Sequence, residues 1–205
     1  MSKFHFKKKY GQNFLRDEIT LEKIASSIVP TNKDLIIEIG PGSGALTKKI
    51  KRYGAKIIAF EIDEETKRYL LPIEDEDTKI IYGNFLEIDI VKTIKHISYE
   101  KLYIIGNLPY YITTPILEHI IESQVDPHEI VIMVQKEVGE RFLASPKTKA
   151  YGYMTVLLSY NYTVEKILDV KSTAFYPIPK VDSMVLKLKR KNRENIDYLK
   201  FQKLL

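Results

Sequence analysis

The chain has 205 residues, 44% of them hydrophobic and 29% charged, which excludes a disordered or collagen-like polymer and fits one compact domain with at most a small appendage. The absence of cysteine excludes a disulfide framework and a thiolate metal site, and no apolar run approaches the roughly 20 residues that a membrane helix needs. The formal charge is +5, and the basic residues near the start are followed by no apolar block or cleavage site, so a soluble, cytoplasmic protein without a membrane partner is expected.

Read in order, the chain alternates strands and helices. Asp17 caps a helix whose apolar residues Leu21, Ile24, Ala25 and Ile28 follow the 3.6-residue period until Pro30. Leu35 to Ile39 is a buried strand, Ala45 to Tyr53 a helix stopped by Gly54, Lys56 to Ile62 a second strand, and Glu64 to Leu71 a helix. Lys79 to Tyr82 and Leu102 to Ile105 give two more strands, followed by a helix from about Thr114 to Glu122. Glu129 to Val134 is a fifth strand, leading into a helix through Phe142. Apolar strands each followed by a helix predict a parallel sheet covered on both faces. The last third differs. Tyr153 to Tyr160 fits helix or strand, while Thr163 to Val170 and Asp182 to Leu188 read as an antiparallel pair closing one edge of the sheet.

Charge is unevenly spread. Lys3 to Arg16 and Lys187 to Arg193 each carry five basic residues and no acid, whereas Glu61 to Asp77 carries eight acids. Basic ends around an acidic middle suit a polyanion held at one rim. Lys7, Lys8 and Lys9, beside the aromatic Tyr10 and Phe14, are the candidate contacts to the phosphates of such a polyanion, a frayed arm being the plainer alternative.

Three segments carry chemistry. Glu38-Ile-Gly-Pro-Gly-Ser-Gly44 lies between the first sheet strand and its helix, where glycines allow a tight turn and close approach to a ligand. Glu61 ends the next strand, 21 residues after Gly40, where a carboxylate can accept hydrogen bonds from both hydroxyls of a ribose. Ala45 completes a G-x-G-x-x-A pattern, so a nicotinamide dinucleotide and S-adenosylmethionine both fit at this point. Asn107-Leu108-Pro109-Tyr110 then follows the fourth strand. The Asn107 side-chain oxygen and a backbone carbonyl fixed by Pro109 can hold both N–H groups of an adenine amino group and turn its nitrogen toward a methyl donor. Tyr110 can stack on a base taken out of its helix. The proline-rich Phe175 to Ser183 can present Phe175 as a second stacking face, or Phe175 can plug the core beside an edge strand. His5, His96, His119 and His128 have no metal-ligand spacing and read as structural, so no metal is expected.

Tyr10-Gly-Gln-Asn-Phe-Leu15, the glycine cluster, Gly106 to Tyr110 with Thr113-Thr-Pro115, Met133 to Glu137 and Phe175 to Ser183 together resemble the ribosomal RNA adenine N6-dimethyltransferases, over roughly residues 7–189. Leu108 in the tetrapeptide resembles the bacterial small-subunit housekeeping branch. The resemblance implies a class I S-adenosylmethionine-dependent methyltransferase fold: an α/β, Rossmann-like, seven-stranded, mostly parallel sheet with an antiparallel edge strand. It implies cofactor contacts from Asn13, Leu15, Gly40, Gly42, Glu61, Ile62, Asn84, Phe85 and Asn107. It also implies a catalytic group of Asn107, Leu108, Pro109, Tyr110 and Phe175 with the target adenine between Tyr110 and Phe175. The implied activity is two methylations on each of two adjacent adenines near the 3′ end of small-subunit (16S) ribosomal RNA, free or in its precursor particle, by a monomer. Two departures stand out. Asn84 occupies a position where the family usually has Asp, and the chain stops at Leu205, where the family continues into a small helical domain. Residues 1–16 are thus expected to form a basic arm, 17–189 the catalytic domain, and 190–205 the start of a truncated or missing domain. A large-subunit (23S) resistance methyltransferase, a non-catalytic ribosome-assembly or RNA-binding factor, and a nucleotide-dependent oxidoreductase are the competing functions.

Overall fold

A computed structural model describes residues 13–191. Nine strands and seven α-helices are placed within them: β1 Phe14–Leu15, α1 Glu18–Ala25, β2 Leu35–Ile39, α2 Ala45–Ile50, β3 Lys56–Glu61, α3 Lys67–Leu70, β4 Thr78–Tyr82, α4 Ile90–Ile94, β5 Leu102–Asn107, α5 Thr113–Glu122, β6 Glu129–Gln135, α6 Lys136–Phe142, α7 Tyr153–Asn161, β7 Tyr162–Val170, β8 Phe175–Tyr176 and β9 Ser183–Arg190. Asp17 caps α1 as its position suggests, its carboxylate accepting from the Thr20 amide at 2.7 Å. The segment over 153–160 resolves as helix α7. Helix α4, over which the sequence reading places no element, is capped by Asp89, whose carboxylate accepts from the Lys92 amide at 2.8 Å, and it turns only Ile90 and Ile94 to the core.

Seven strands form one sheet in the order β4-β3-β2-β5-β6-β9-β7. Five run parallel from β4 to β6, and β9 pairs antiparallel with both β6 and β7. The reversed strand therefore lies one place in from the edge, and β7 outside it runs with the parallel set. Period-2 alternation sends the side chains of each strand to two cores. Ile37, Ile39, Ile58, Phe60, Ile104 and Ile132 pack on one face with Leu117 and Ile120 of α5, while Ile36, Ile57, Tyr103, Ile105 and Val131 pack on the other with Leu21 and Ile24 of α1. Helices cover both faces because a parallel sheet has no face it can leave in water.

β1 and β8 make a separate two-stranded antiparallel ribbon that pairs Phe14 with Tyr176 and Leu15 with Phe175. Directly opposed residues share a face. Leu15 and Phe175 are buried in the α1 core, and Phe175 is only 3% exposed. This corrects the expectation for Phe175. It is the aromatic that anchors the ribbon beside the sheet, and it does not line the cleft described below.

The described part of the basic stretch, Lys187 to Lys191, also reads differently in three dimensions. Lys187 points inward, 9% exposed, with its ammonium 2.8 Å from Glu129 and donating to the Ser27 carbonyl at 2.6 Å. Lys189 pairs with Glu165 at 2.9 Å and Arg190 with Asp126. These charges brace the sheet and do not form a bare phosphate-binding edge. Lys7, Lys8 and Lys9, together with 192–205, lie outside the described residues.

Gly106 sits in the middle of this arrangement. A Cβ added there would lie 2.6 Å from the backbone oxygen of Ile39 on β2, an atom that cannot move without moving the sheet. Gly106→Ala should therefore destabilise the fold by about 1–3 kcal/mol, measured by chemical denaturation. Gly152→Ala, where an added methyl meets nothing within 4 Å, should stay within about 0.5 kcal/mol of the parent.

Candidate active site

The strand order changes direction between β2 and β5: from β2 the chain winds outward through β3 and β4, then crosses back to β5 and continues through β6. Ligands of open α/β sheets bind beyond the carboxyl ends of the strands at such a point. A cleft of about 760 Å³, its open mouth included, lies there. It is lined by Gly40 and Gly42 after β2, Glu61 and Ile62 at the end of β3, Asn84 and Phe85 after β4, and Asn107, Leu108, Pro109 and Tyr110 at the end of β5. Asn13 and Phe14 complete one wall. Leu15 lines a smaller adjoining pocket under the glycine loop, which also holds Glu38, Gly40, Gly42 and Asn107. Of the residues expected to meet cofactor or base, Phe175 is absent from both linings.

The glycine loop is shaped by backbone conformation. Gly40, Gly42 and Gly44 have φ of 71, 57 and 75°, a region open to glycine at little cost. Side chains are excluded as well. A Cβ on Gly42 would meet the Phe14 ring at 2.9 Å, and one on Gly44 would strike Ile73 of the next unit at 2.2 Å.

Glu61 binds this loop directly. Its Oε2 accepts from the Gly42 amide and its Oε1 from the Asp63 amide, both at 2.9 Å. Burial raises its carboxyl pKa, and the amide hydrogen bonds oppose that shift. Each carboxylate oxygen retains a second lone pair for a ligand hydroxyl.

Asn107 is oriented by the N-terminal segment. Its Nδ2 donates to the Asn13 carbonyl at 3.0 Å. Since a carbonyl only accepts, the nitrogen end of the amide is committed to Asn13 and Oδ1 is left as the acceptor at the cleft. Leu108 is buried, and its amide donates to the Met133 carbonyl of β6 at 3.2 Å. The Pro109 carbonyl accepts from the Ile112 amide at 3.2 Å and the Thr113 hydroxyl at 3.3 Å, closing the turn that starts α5. The Tyr110 hydroxyl lies 2.6 Å from Ser183 Oγ, and burial pushes its pKa up, so it stays protonated at neutral pH.

Asn84 departs from the usual carboxylate for a legible reason. Its Oδ1 accepts from the Leu86 amide at 3.2 Å, while its Nδ2 donates to Glu87 Oε1 at 2.9 Å. An aspartate could make the first bond but would face the Glu87 carboxylate with like charge. Phe85 is held edge-on to Phe60 and His119, with centroids 5.3 and 5.5 Å away. His119 also meets the Ile88 carbonyl through Nε2 at 2.9 Å, which gives it a structural role.

The sequence reading missed several lining residues: Phe14, Ile39, Phe60, Gly83, Tyr111, Ile112 and Ile116. Most are ordinary strand or helix residues that reach the cleft only through the fold. Tyr111 is 57% exposed at the mouth, and its position after Tyr110 was its one available signal.

The residues present fit S-adenosylmethionine better than an anionic dinucleotide. Glu38 and Glu61 flank the glycine loop, and neither pocket lining contains a lysine or arginine among the described residues. A pyrophosphate would meet the Glu61 carboxylate with no cation in the lining to offset it, whereas a sulfonium cation meets complementary charge. Among the described residues no group of three His, Asp or Glu side chains could hold a metal ion, and no helix is long and apolar enough to cross a membrane.

Residues 3–205 match the family model for ribosomal RNA adenine dimethylase. The chain belongs to this family. The family's methyl donor is S-adenosylmethionine. A ribosomal RNA small subunit methyltransferase A from Aster yellows witches'-broom phytoplasma (strain AYWB) is 44% identical over 196 residues, covering 95% of this chain and 72% of that protein. Its counterpart from Lactococcus lactis subsp. lactis (strain IL1403) is 44% identical over 197 residues, covering 92% of this chain and 65% of that protein. Among solved structures, a dimethyladenosine transferase from Plasmodium falciparum superposes with a TM-score of 0.75 at 28% identity, over 86% of this chain and 63% of that one. The chain thus spans about two thirds of the length of these relatives.

Glu38 is the unusual group of the site. It is 1% exposed and its Oε2 has no hydrogen-bond partner among the described residues. Burial pushes its pKa up to about 8; the neighbouring Thr47 hydroxyl opposes that shift and the Glu61 charge adds to it. Between about pH 5 and 8 the unfolded chain carries this carboxylate ionised and the folded one carries it protonated. Folding takes up a proton, so stability falls as pH rises through that window and levels off above it. Chemical denaturation at pH 5.5 and 7.5 should show the parent losing roughly 2 kcal/mol more than Glu38→Gln, at about 1.4 kcal/mol per pH unit for one proton. Equal pH dependence in the two proteins would mean that Glu38 is ionised inside the fold.

Proposed function

We propose that this protein is a monomeric cytoplasmic enzyme that dimethylates the N6 amino groups of two adjacent adenines near the 3′ end of small-subunit ribosomal RNA. The observation that carries the reading is the Asn107 amide, fixed by the Asn13 carbonyl with its oxygen end as the acceptor at the cleft. Family membership and the names of the small-subunit relatives support the substrate.

When bound, S-adenosylmethionine supplies an electrophilic methyl group. In this reading Glu61 accepts from the ribose hydroxyls of the donor and holds the glycine loop against it, while Gly40 and Gly42 let the backbone come close. Phe85 and Ile62 give the donor's adenine an apolar seat, and Asn84 Oδ1 adds an acceptor beside it. The target adenine carries a poor nucleophile, because the N6 lone pair is delocalised into the ring. Asn107 Oδ1 and the carbonyl of Leu108 accept the two N6–H bonds and draw that lone pair out of conjugation toward the methyl group. Pro109 keeps the Leu108 carbonyl rigid, and Tyr110 stacks on the extruded base. Positioning of this kind needs neither a metal nor a histidine base. N6 takes the methyl group as the donor's S–C bond breaks to leave a neutral thioether, and one N6 proton is shed to water; one N6–H remains, so the second round engages one acceptor.

Transfer of labelled methyl groups to undermethylated small ribosomal subunits, followed by nucleoside analysis, should yield dimethyladenosine; labelled large subunits instead would overturn the assignment. Asn107→Ala should lower turnover by roughly 100-fold or more with little change in donor affinity, since its amide acts on the reacting nitrogen in the transition state. Turnover within threefold of the parent would remove Asn107 from that role. Glu61→Ala should weaken S-adenosylmethionine binding at least about tenfold by calorimetry, because two hydrogen bonds to a charged acceptor disappear.

A further inference from the structure

Ser183 has entered the site only as the neighbour of the Tyr110 hydroxyl, with no role of its own. It is the first residue of β9, is fully buried, and has its backbone paired on both sides, with Gln135 of β6 and Val170 of β7. Its neighbour Asp182 is equally fixed. The Asp182 carbonyl accepts from the Lys136 amide at 3.0 Å, and its carboxylate accepts from the Ser172 amide and Lys171 Nζ, each at 2.9 Å. The Ser183 hydroxyl lies 2.6 Å from that of Tyr110, 73 positions earlier in the chain.

The contrast with other serines is informative. The hydroxyls of Ser26, Ser27, Ser123 and Ser159 each donate to a backbone carbonyl three or four residues earlier, an ordinary local use of the side chain. Ser183 instead reaches a side chain on another element. In the order β5-β6-β9, Tyr110 follows one strand and Ser183 begins the next strand but one. At the usual spacing of about 4.8 Å per strand their backbones are separated by roughly 10 Å. The Tyr110 side chain therefore spans the carboxyl end of β6, tied to β5 by its Cα and to β9 by its hydroxyl.

We propose that Ser183 is a positioning residue for methyl transfer: its hydroxyl holds the Tyr110 ring in the rotamer that presents its face to the target base. The inference rests on the reading of Tyr110 as the stacking surface for adenine. A ring anchored only at its Cα loses rotamer freedom when the base arrives, and that loss weakens binding. A ring tethered at both ends has already lost it on folding. The bond also satisfies a hydroxyl that burial would otherwise leave unpaired.

A double-mutant cycle on the full chain tests this, with kcat/KM measured for undermethylated small subunits and S-adenosylmethionine affinity measured alongside. Ser183→Ala and Tyr110→Phe should each lower kcat/KM about tenfold, the scale of one hydrogen bond and its fixed geometry. The double variant should be no worse than either single, and donor affinity should stay within twofold throughout. Losses that multiply in the double variant, or a Ser183→Ala enzyme within twofold of the parent, would overturn the proposal. If Ser183→Ala does not fold, Tyr110→Phe alone decides, because it removes the same bond with Ser183 in place; parental kcat/KM would then refute the tether. Tyr110→Ala separates the two levels. Parental activity there defeats the stacking reading itself, and the proposal with it. An inactive Tyr110→Ala beside an active Ser183→Ala defeats only the positioning role.

Discussion

The site depends on one contact between strands: the parallel pairing of β2 with β5, in which Ile39 sits opposite Gly106. That register brings the glycine loop that leaves β2 and the Asn107 turn that leaves β5 out of the sheet at the same level. A Cβ on Gly40 would lie 3.7 Å from the Asn107 carbonyl, so the two loops are nearly in contact. A shift of one residue would put Glu38 and Asn107 on opposite faces of the sheet, because side chains alternate with period two. The bare Cα of Gly106 makes that register possible, and the donor and acceptor halves of the cleft follow from it.

Around this contact, polar groups are placed by neighbours that can bond them in only one way. A carbonyl fixes the direction of the Asn107 amide, two amides hold the Glu61 carboxylate, and a buried hydroxyl meets the Tyr110 phenol. Glu38 is the exception, a carboxyl buried without a full set of partners beside the loop. Unsatisfied groups of this sort are costly, and they concentrate where a fold serves something other than its own stability.

Much of this was legible in the sequence because it is local. The glycine spacing, the Glu61 offset and the Asn107 tetrapeptide follow their strands directly, and all three line the cleft. What failed was the side on which a residue lands. Phe175 and Tyr176 are adjacent aromatics, and only the ribbon pairing with Leu15 and Phe14 decides that Phe175 goes to the core. Lys187 reads as part of a basic run until the sheet turns it inward to Glu129. Both outcomes depend on partners in distant parts of the chain, which no window of sequence contains. Phe14 was hidden for the same reason: its place over Gly42 exists only once β1 has found β8.

That ribbon joins the beginning of the described chain to its last quarter. During synthesis, which runs from the N-terminus, β2, β3 and β5 can assemble early, and the glycine loop and the Asn107 turn can already face one another. β1 must wait for Phe175 and Tyr176 to be made. Until then Phe14 has no strand to hold it over the loop, and the Asn13 carbonyl is not yet held beside Asn107. The wall encoded first is therefore the wall completed last, and a nascent chain cannot close its cleft before nearly the whole domain has been translated.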